Sequence, residues 1–366
     1  ILNEIDEFKD EPGDGYRKVK GDAHFLRGSN YYFLVNIYGQ PYSKERAATE
    51  LGVPLKLNAE IEDKRFQRNS LEECYQQIVN DLQSAVRLLK GLKSTTTYRA
   101  NEMAARLLLS RVFLYQGEWE NVIKQCDTIL MDKSYSLLDY NTLTTTSNVI
   151  SAKSPETIFT SGATTYTNTP FLPFINYYFR ASEEILAAYS SNDLRRKFYF
   201  RGYSAYAPRK MLNTKDGSCS DFFLLRLPEV YLNKAEALAM LEKTTEAIET
   251  IQTLREQRVK TGTLEDLQLS GEELVNYIRN ERRLELPFEG QRWFDLRRYA
   301  VCPKWPFQKE IHHPYYVETE IKGARVLRKY DEEPEFYVLP LPENEIVLNG
   351  GTLIQNATRE QKSEVM

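Results

Sequence analysis

Residues 270–300 hold the densest set of side chains that could do chemistry. Glu281, Glu285, Glu289 and Asp295 stand among Arg279, Arg282, Arg283, Arg292, Arg297 and Arg298. Four acids in so short a stretch raise the question of general acid catalysis. Such an acid needs a raised pKa, which an apolar pocket or a neighbouring like charge can supply. Here every carboxylate has an arginine within three or four positions, which favours the ionised form. Arg282 with Glu285, and Asp295 with Arg298, sit at spacings where side chains meet on one helix face. The expected structure is an ion-pair lattice that locks two helices together.

Those helices are legible around the charges. Ser270 and Glu273 make an S-x-x-E capping box, which satisfies the first free amides of a helix. Leu274, Tyr277, Ile278 and Leu284 follow at helical spacing. Pro287 excludes the residue before it from the helical region, so this helix ends near Leu286. Phe288, Glu289 and Gly290 form the turn, and Trp293, Leu296 and Ala300 begin a second helix.

The rest of the chain reads as more hairpins. In residues 22–38 Ala23, Leu26, Asn30, Phe33, Leu34 and Ile37 recur at helical spacing, with Gly39 as a C-cap. Ser70 and Glu73 repeat the capping box, before a stripe of Leu71, Cys74, Tyr75, Ile78, Leu82, Ala85, Val86 and Leu89. Ala104, Leu107, Leu108, Val112 and Tyr115 lead into the turn Gln116-Gly117-Glu118, and Trp119, Val122, Cys126 and Ile129 lead out. Two helices joined by a short glycine turn resemble a tetratricopeptide (TPR) unit. A comparable pair occupies residues 223–258. Helical hairpins thus cover about 22–130 and 222–300, four in all. Residues 132–220 separate them with a loop-rich insertion, in which 156–161 is a strand candidate and 182–189 a helix candidate. After Tyr299 the helical signal fades into an irregular part, 301–366, with a strand candidate at 335–341. The predicted fold is mainly α, one domain in which hairpins carry a loop-rich region with a few short strands.

Composition excludes several classes. The 366 residues have a formal net charge of −4, with the basic residues dispersed, which argues against nucleic acid. No apolar run is long enough to cross a bilayer. The first eight residues read as the end of an amphipathic helix, so the chain is expected to be the interior of a longer one. Cys74 and Cys126 fall on apolar stripes as reduced core thiols, while Cys219 and Cys302 lie in loops where a disulfide is open. His312 and His313 lack further metal ligands, and no phosphate loop or nucleophile elbow is present, so no cofactor or metal is expected.

These residues also carry a resemblance. Ile278, Glu281, Arg282, Glu285, Leu286, Phe288, Glu289, Gly290, Arg292, Asp295, Leu296 and Arg298 match in order the I-x-x-E-R-x-x-E-L-x-F-E-G-x-R-x-x-D-L-x-R signature of the SusD/RagB family. Phe25 to Gly39, Arg226 to Ala237, Leu339 to Pro342 and Gln355-Asn356 are similar to its other motifs. Gly28 and Pro228 stand where the family usually has alanine. The resemblance implies four TPR-like hairpins beside a variable loop-rich half. It implies a non-catalytic lipoprotein on the cell surface, held at the outer membrane by an N-terminal lipid anchor upstream of the given residues. Its partners would be an oligosaccharide and a SusC-like TonB-dependent transporter.

Sugar recognition stacks aromatic faces on sugar C–H faces and engages hydroxyls with amides and carboxylates. Trp305, Tyr315 and Tyr316 are the first candidates, with Tyr42 next and Tyr166, Tyr177 and Tyr178 as a further group. Trp119, Trp293 and Tyr38 belong to the fold. The alternatives are a peptide-binding RagB-like lipoprotein, an intracellular TPR adaptor with a continuous basic groove, and a helical glycoside hydrolase.

Overall fold

A computed structural model describes residues 1–144, 147–162, 181–200, 209–210, 217–220, 222–317, 320–357 and 363–364. The fold is mainly α, built from TPR-like hairpins with a few short strands. The helices are α1 (Gly15–Tyr38), α2 (Leu71–Leu89), α3 (Glu102–Gln116), α4 (Trp119–Met131), α5 (Glu183–Ala188), α6 (Arg195–Tyr199), α7 (Leu227–Met240), α8 (Thr244–Glu256), α9 (Gly271–Glu285), α10 (Arg292–Ala300) and α11 (Glu343–Leu348). The strands are β1 (Thr157–Thr160), β2 (Leu224–Arg226), β3 (Ile311–Val317), β4 (Glu320–Leu327) and β5 (Ser363–Glu364). Two compact units share them. The first comprises Ile1–Glu4, Leu26–Asp81 and Trp293–Met366; the second comprises Ile5–Phe25 and Leu82–Arg292.

In the second unit α7 is the central helix, packed against α3, α4, α8 and α9. Its sequence explains the position: Leu227, Val230, Leu232, Ala235, Ala237, Leu238, Ala239 and Met240 are buried, and most of the other side chains are too. A helix buried on all sides is the central one, and its buried polar members are paired, Glu229 with Arg111, Asn233 with Ser110 and Glu236 with Arg279. Pro228 occupies its first turn, where the missing amide hydrogen costs nothing. Helix α3 is capped at both ends. Asn101 accepts from the Ala104 amide, and Gly117, at φ 73°, closes the helix in the left-handed conformation. β1 and β2 form an antiparallel pair. Strand β2 takes Leu224–Arg226, which the sequence pattern assigns to a helical pair.

In the first unit the second capping box is complete. Glu73 accepts from the Ser70 amide at 2.9 Å, and Ser70 Oγ accepts from the Glu73 amide at 3.2 Å. Strands β3, β4 and β5 form an antiparallel sheet in that order.

Several expectations need correction. The buried stripe of α1 is not Ala23, Leu26, Asn30, Phe33, Leu34 and Ile37; Leu26 and Leu34 are exposed. Phe25, Ser29, Tyr32, Val35 and Asn36 are buried instead. Their polar members are satisfied internally, Asn36 donating to the Tyr32 carbonyl and accepting from Tyr75. Gly39 is not a left-handed cap. Its amide continues the helix to the Val35 carbonyl, and a Cβ there would stand 2.7 Å from Leu71 Cδ2, so close packing requires the glycine. Ser270 begins α9, but its side chain makes no capping bond. Residues 335–341 are not a strand: Pro334–Tyr337 is a 3-10 turn, and the pairing lies earlier, in β3 and β4. Cys219 and Cys302, whose pairing the sequence left open, are buried thiols not joined in a disulfide, and burial pushes Cys219 up to about 12.

Candidate functional site

The signature acids of α9 and its following turn lie in the second unit, sealed from solvent. Glu285, with no exposed surface, is the hub. Its Oε1 accepts from Arg226 Nη1 at 2.7 Å and from Tyr199 Oη at 3.2 Å. Its Oε2 accepts from Arg258 Nε at 3.0 Å and Arg195 Nη1 at 3.2 Å. Glu289 takes Arg226 at 2.9 Å and Lys210, while Glu281 pairs with Arg195 at 2.5 Å and with Arg255 at 3.6 Å. Glu156 joins Arg258 at 2.6 Å, and Asp193 clasps Arg195 with both oxygens. Five carboxylates (Glu156, Asp193, Glu281, Glu285, Glu289) thus meet five cations (Arg195, Lys210, Arg226, Arg255, Arg258). Matching charge inside is what makes so many buried ions tolerable.

Burial alone would raise the carboxyl of Glu285. The guanidinium groups of Arg258, Arg226 and Arg195 overcome that and hold it well below the usual range. Glu289 is likewise lowered against burial by Arg226 and Lys210. Burial pushes the Lys210 ammonium down to about 7, against the pull of Glu289. Acids held ionised and dry cannot donate protons to a substrate. A stability consequence follows from the sign of the shift. A carboxyl lowered in the folded state contributes stability that is present above the unfolded value of about 4.3 and is lost as pH falls through the folded value. Denaturant midpoints measured from pH 7 to pH 3 are expected to hold steady to about pH 5 and then drop. A flat profile down to pH 3 would contradict the lattice.

The lattice differs from the local one read in the sequence. Its cations come from β2, α6 and the ends of neighbouring segments, not from the arginines within 279–298. Arg282 reaches Asn233 at 2.7 Å and Glu229 at 3.4 Å. In the first unit Asp295 and Arg298 do meet, at 3.0 Å. Gly290 sits at φ 70° in the turn, and Arg292 opens α10. The seven other members, Glu156, Asp193, Arg195, Lys210, Arg226, Arg255 and Arg258, were missed. The Asp193-Leu194-Arg195 sequence was the one visible signal, an acid and a base fixed beside each other.

The candidate ligand residues lie elsewhere. Trp305 is half-buried in the first unit with φ 60°, a left-handed backbone that a bulky residue rarely adopts. Lys304 Nζ stands over its ring at 4.2 Å. Tyr315 is half-buried on β3 opposite Gly323. The Tyr316 backbone pairs with Ile321 beyond a break in register. Tyr42 is half-buried, its ring 4.7 Å from that of the buried Tyr75. Tyr166, Tyr177 and Tyr178 lie outside the described residues. His312 is paired with Glu310 at 2.5 Å, and no group of metal-ligating side chains gathers among the described residues.

Hairpins of TPR type with an inward-facing ionic signature define a class of helical scaffold, to which segments bearing aromatic residues are attached. The chain belongs to the SusD family: that family's model matches residues 130–358, and a second model, described as starch-binding associating with outer membrane, matches residues 1–114. SusD-like protein P2 of Formosa agariphila is 23% identical over 92% of this chain and 73% of its own length. SusD-like protein P38 of the same organism is 44% identical over 22% of this chain and 17% of its own. Among solved structures, one from Bacteroides vulgatus named as a candidate sugar-binding protein is 26% identical. It matches with TM-score 0.77 over 97% of this chain and 81% of that one. A SusD superfamily protein from Bacteroides thetaiotaomicron matches at 22% identity, TM-score 0.76, over 98% of this chain and 82% of that one.

Proposed function

We propose that the protein captures an oligosaccharide at the outer-membrane surface and passes it to a SusC-like TonB-dependent transporter, without catalysis. An N-terminal lipid anchor completes this reading. Family membership, the starch-binding and outer-membrane description of the second family model, and the sugar-binding relative support it. The observation that carries it furthest is Trp305. A tryptophan held in left-handed backbone between Pro303 and Pro306 is a strained arrangement, and such strain collects at ligand clamps. The ring quadrupole that holds the Lys304 ammonium also attracts the polarised C–H face of a sugar. Tyr315 and Tyr42 offer further rings in the same unit.

Calorimetric titration with neutral oligosaccharides tests this. At least one glycan is expected to bind, and Trp305→Ala to weaken it about 30-fold, the equivalent of about 2 kcal/mol for a central aromatic anchor. A reducing-end assay on the same mixtures should show no new ends. Silence across the panel, or unchanged affinity in Trp305→Ala, would count against the proposal.

A further inference from the structure

A cleft of about 770 Å³ opens in the second unit, lined by none of the lattice residues. It lies among the α2–α3 connection, the first turn of α3, the segment after α4, and residues 152, 153 and 217. Its volume is that of a small-molecule site.

Two tyrosine rings line it, and both are held before any ligand arrives. Tyr98 is 43% exposed, yet its hydroxyl donates to the Ser218 carbonyl at 2.9 Å and its amide to Thr96 Oγ1 at 3.2 Å. Gly217, at φ 87°, makes this seat possible: a Cβ there would lie 2.9 Å from Tyr98 Oη and 2.8 Å from Ala152 Cβ. The surrounding backbone is tied together as well. Ala152 donates to the Gly217 carbonyl at 3.2 Å and its own carbonyl accepts from Thr97 Oγ1 at 3.0 Å. Tyr135 accepts from Asn101 Nδ2 at 3.1 Å, and Asn101 is itself fixed as the cap of α3. An exposed side chain normally keeps its rotamer freedom. Removing that freedom in advance lowers the cost of ordering a binding surface.

The chemistry of the walls selects a class of ligand. Two lysines and two acids line the cleft, Lys93 and Lys153 with Glu102 and Asp132, and Glu102 is held by Arg106 at 2.7 Å, so no massed charge of one sign faces a ligand. Ser94, Thr95 and Ser134 also line the cleft, the Ser94 hydroxyl donating to the Thr96 carbonyl at 2.8 Å. Flat faces for C–H groups with neutral donors and acceptors for hydroxyls match a pyranose. We propose that this cleft is a second carbohydrate subsite, which takes a neutral hexose unit independently of Trp305. The ligand class rests on the function proposed above; the location does not.

The test is calorimetry with maltoheptaose and neutral hexasaccharides of mannan, galactan and β-glucan, on the wild type, Tyr98→Ala and Trp305→Ala. With a glycan that binds, Tyr98→Ala is expected to remove one binding step or weaken it at least tenfold, and Trp305→Ala to leave that step intact. A Tyr98→Ala isotherm superimposable on the wild type, with binding lost in Trp305→Ala, overturns the subsite and leaves the proposed function standing. Silence of the wild type toward every glycan overturns both. Thermal melts check folding. If Tyr98→Ala melts early, Thr95→Trp, which fills the cleft from an exposed position, must abolish the same step.

Discussion

Replacing Glu285 by alanine is expected to cost about 3–5 kcal/mol of folding stability, the range for removing one partner from a buried ionic group. The loss arises less from the missing bonds than from what remains. Arg195, Arg226 and Arg258 would be left buried around an empty position, each having given a bond to that carboxylate. Since whole domains are stable by only about 5–15 kcal/mol, the variant should unfold at much lower denaturant or accumulate as aggregate. Glu285→Gln keeps the shape and part of the hydrogen bonding but removes the charge, so it should fall between alanine and wild type. Guanidinium unfolding followed by circular dichroism measures both. A Glu285→Ala midpoint corresponding to less than about 1 kcal/mol of loss would show that solvent reaches the lattice, since that is the scale of a hydrated surface pair.

The second large effect concerns Arg111 on α3 and Glu229 on α7. They form a two-pronged pair with both contacts at 2.6 Å and neither side chain exposed by more than 2%. Asn233 joins the same layer, donating to Ser110 at 3.0 Å and accepting from Arg282. Each single change, Arg111→Ala or Glu229→Ala, is expected to cost about 3 kcal/mol, because a charge is stranded in the core. Together they should cost less than the sum, by about 2 kcal/mol, since the second removal relieves the charge left by the first. A double-mutant cycle on unfolding free energies gives the number. Simple additivity would mean that the pair contributes nothing beyond its separate side chains. An Arg111→Met, Glu229→Leu double variant refills the volume with apolar groups and should return most of the loss.

Both predictions rest on contacts across long separations, and that is where sequence reading reached its limit. The α2 stripe was legible because Leu71, Cys74, Tyr75, Ile78, Leu82, Ala85 and Leu89 are apolar and all buried. The α3–α4 turn was legible because Gly117 needs its positive φ. Helix α1 misled, since its buried side carries Ser29 and Asn36, which look solvent-facing until their partners are seen. The β3–β4 pair was missed because Pro314 and two histidines mask any strand pattern.

The signature stretch shows the same division. Local spacing determined that residues 270–300 make two helices broken near Pro287, and that their acids would be paired with arginine. Helical periodicity and caps act within a few residues, so one sequence suffices to read them. Which arginines those would be was decided only in three dimensions: Arg226 meets Glu285 across 59 positions and Arg258 meets Glu156 across 102. Complementary charges carry no address, and any arginine serves until folding excludes water from one particular set. The same holds for Tyr98, an ordinary loop tyrosine in the sequence, whose fixed ring depends on a glycine more than a hundred residues away.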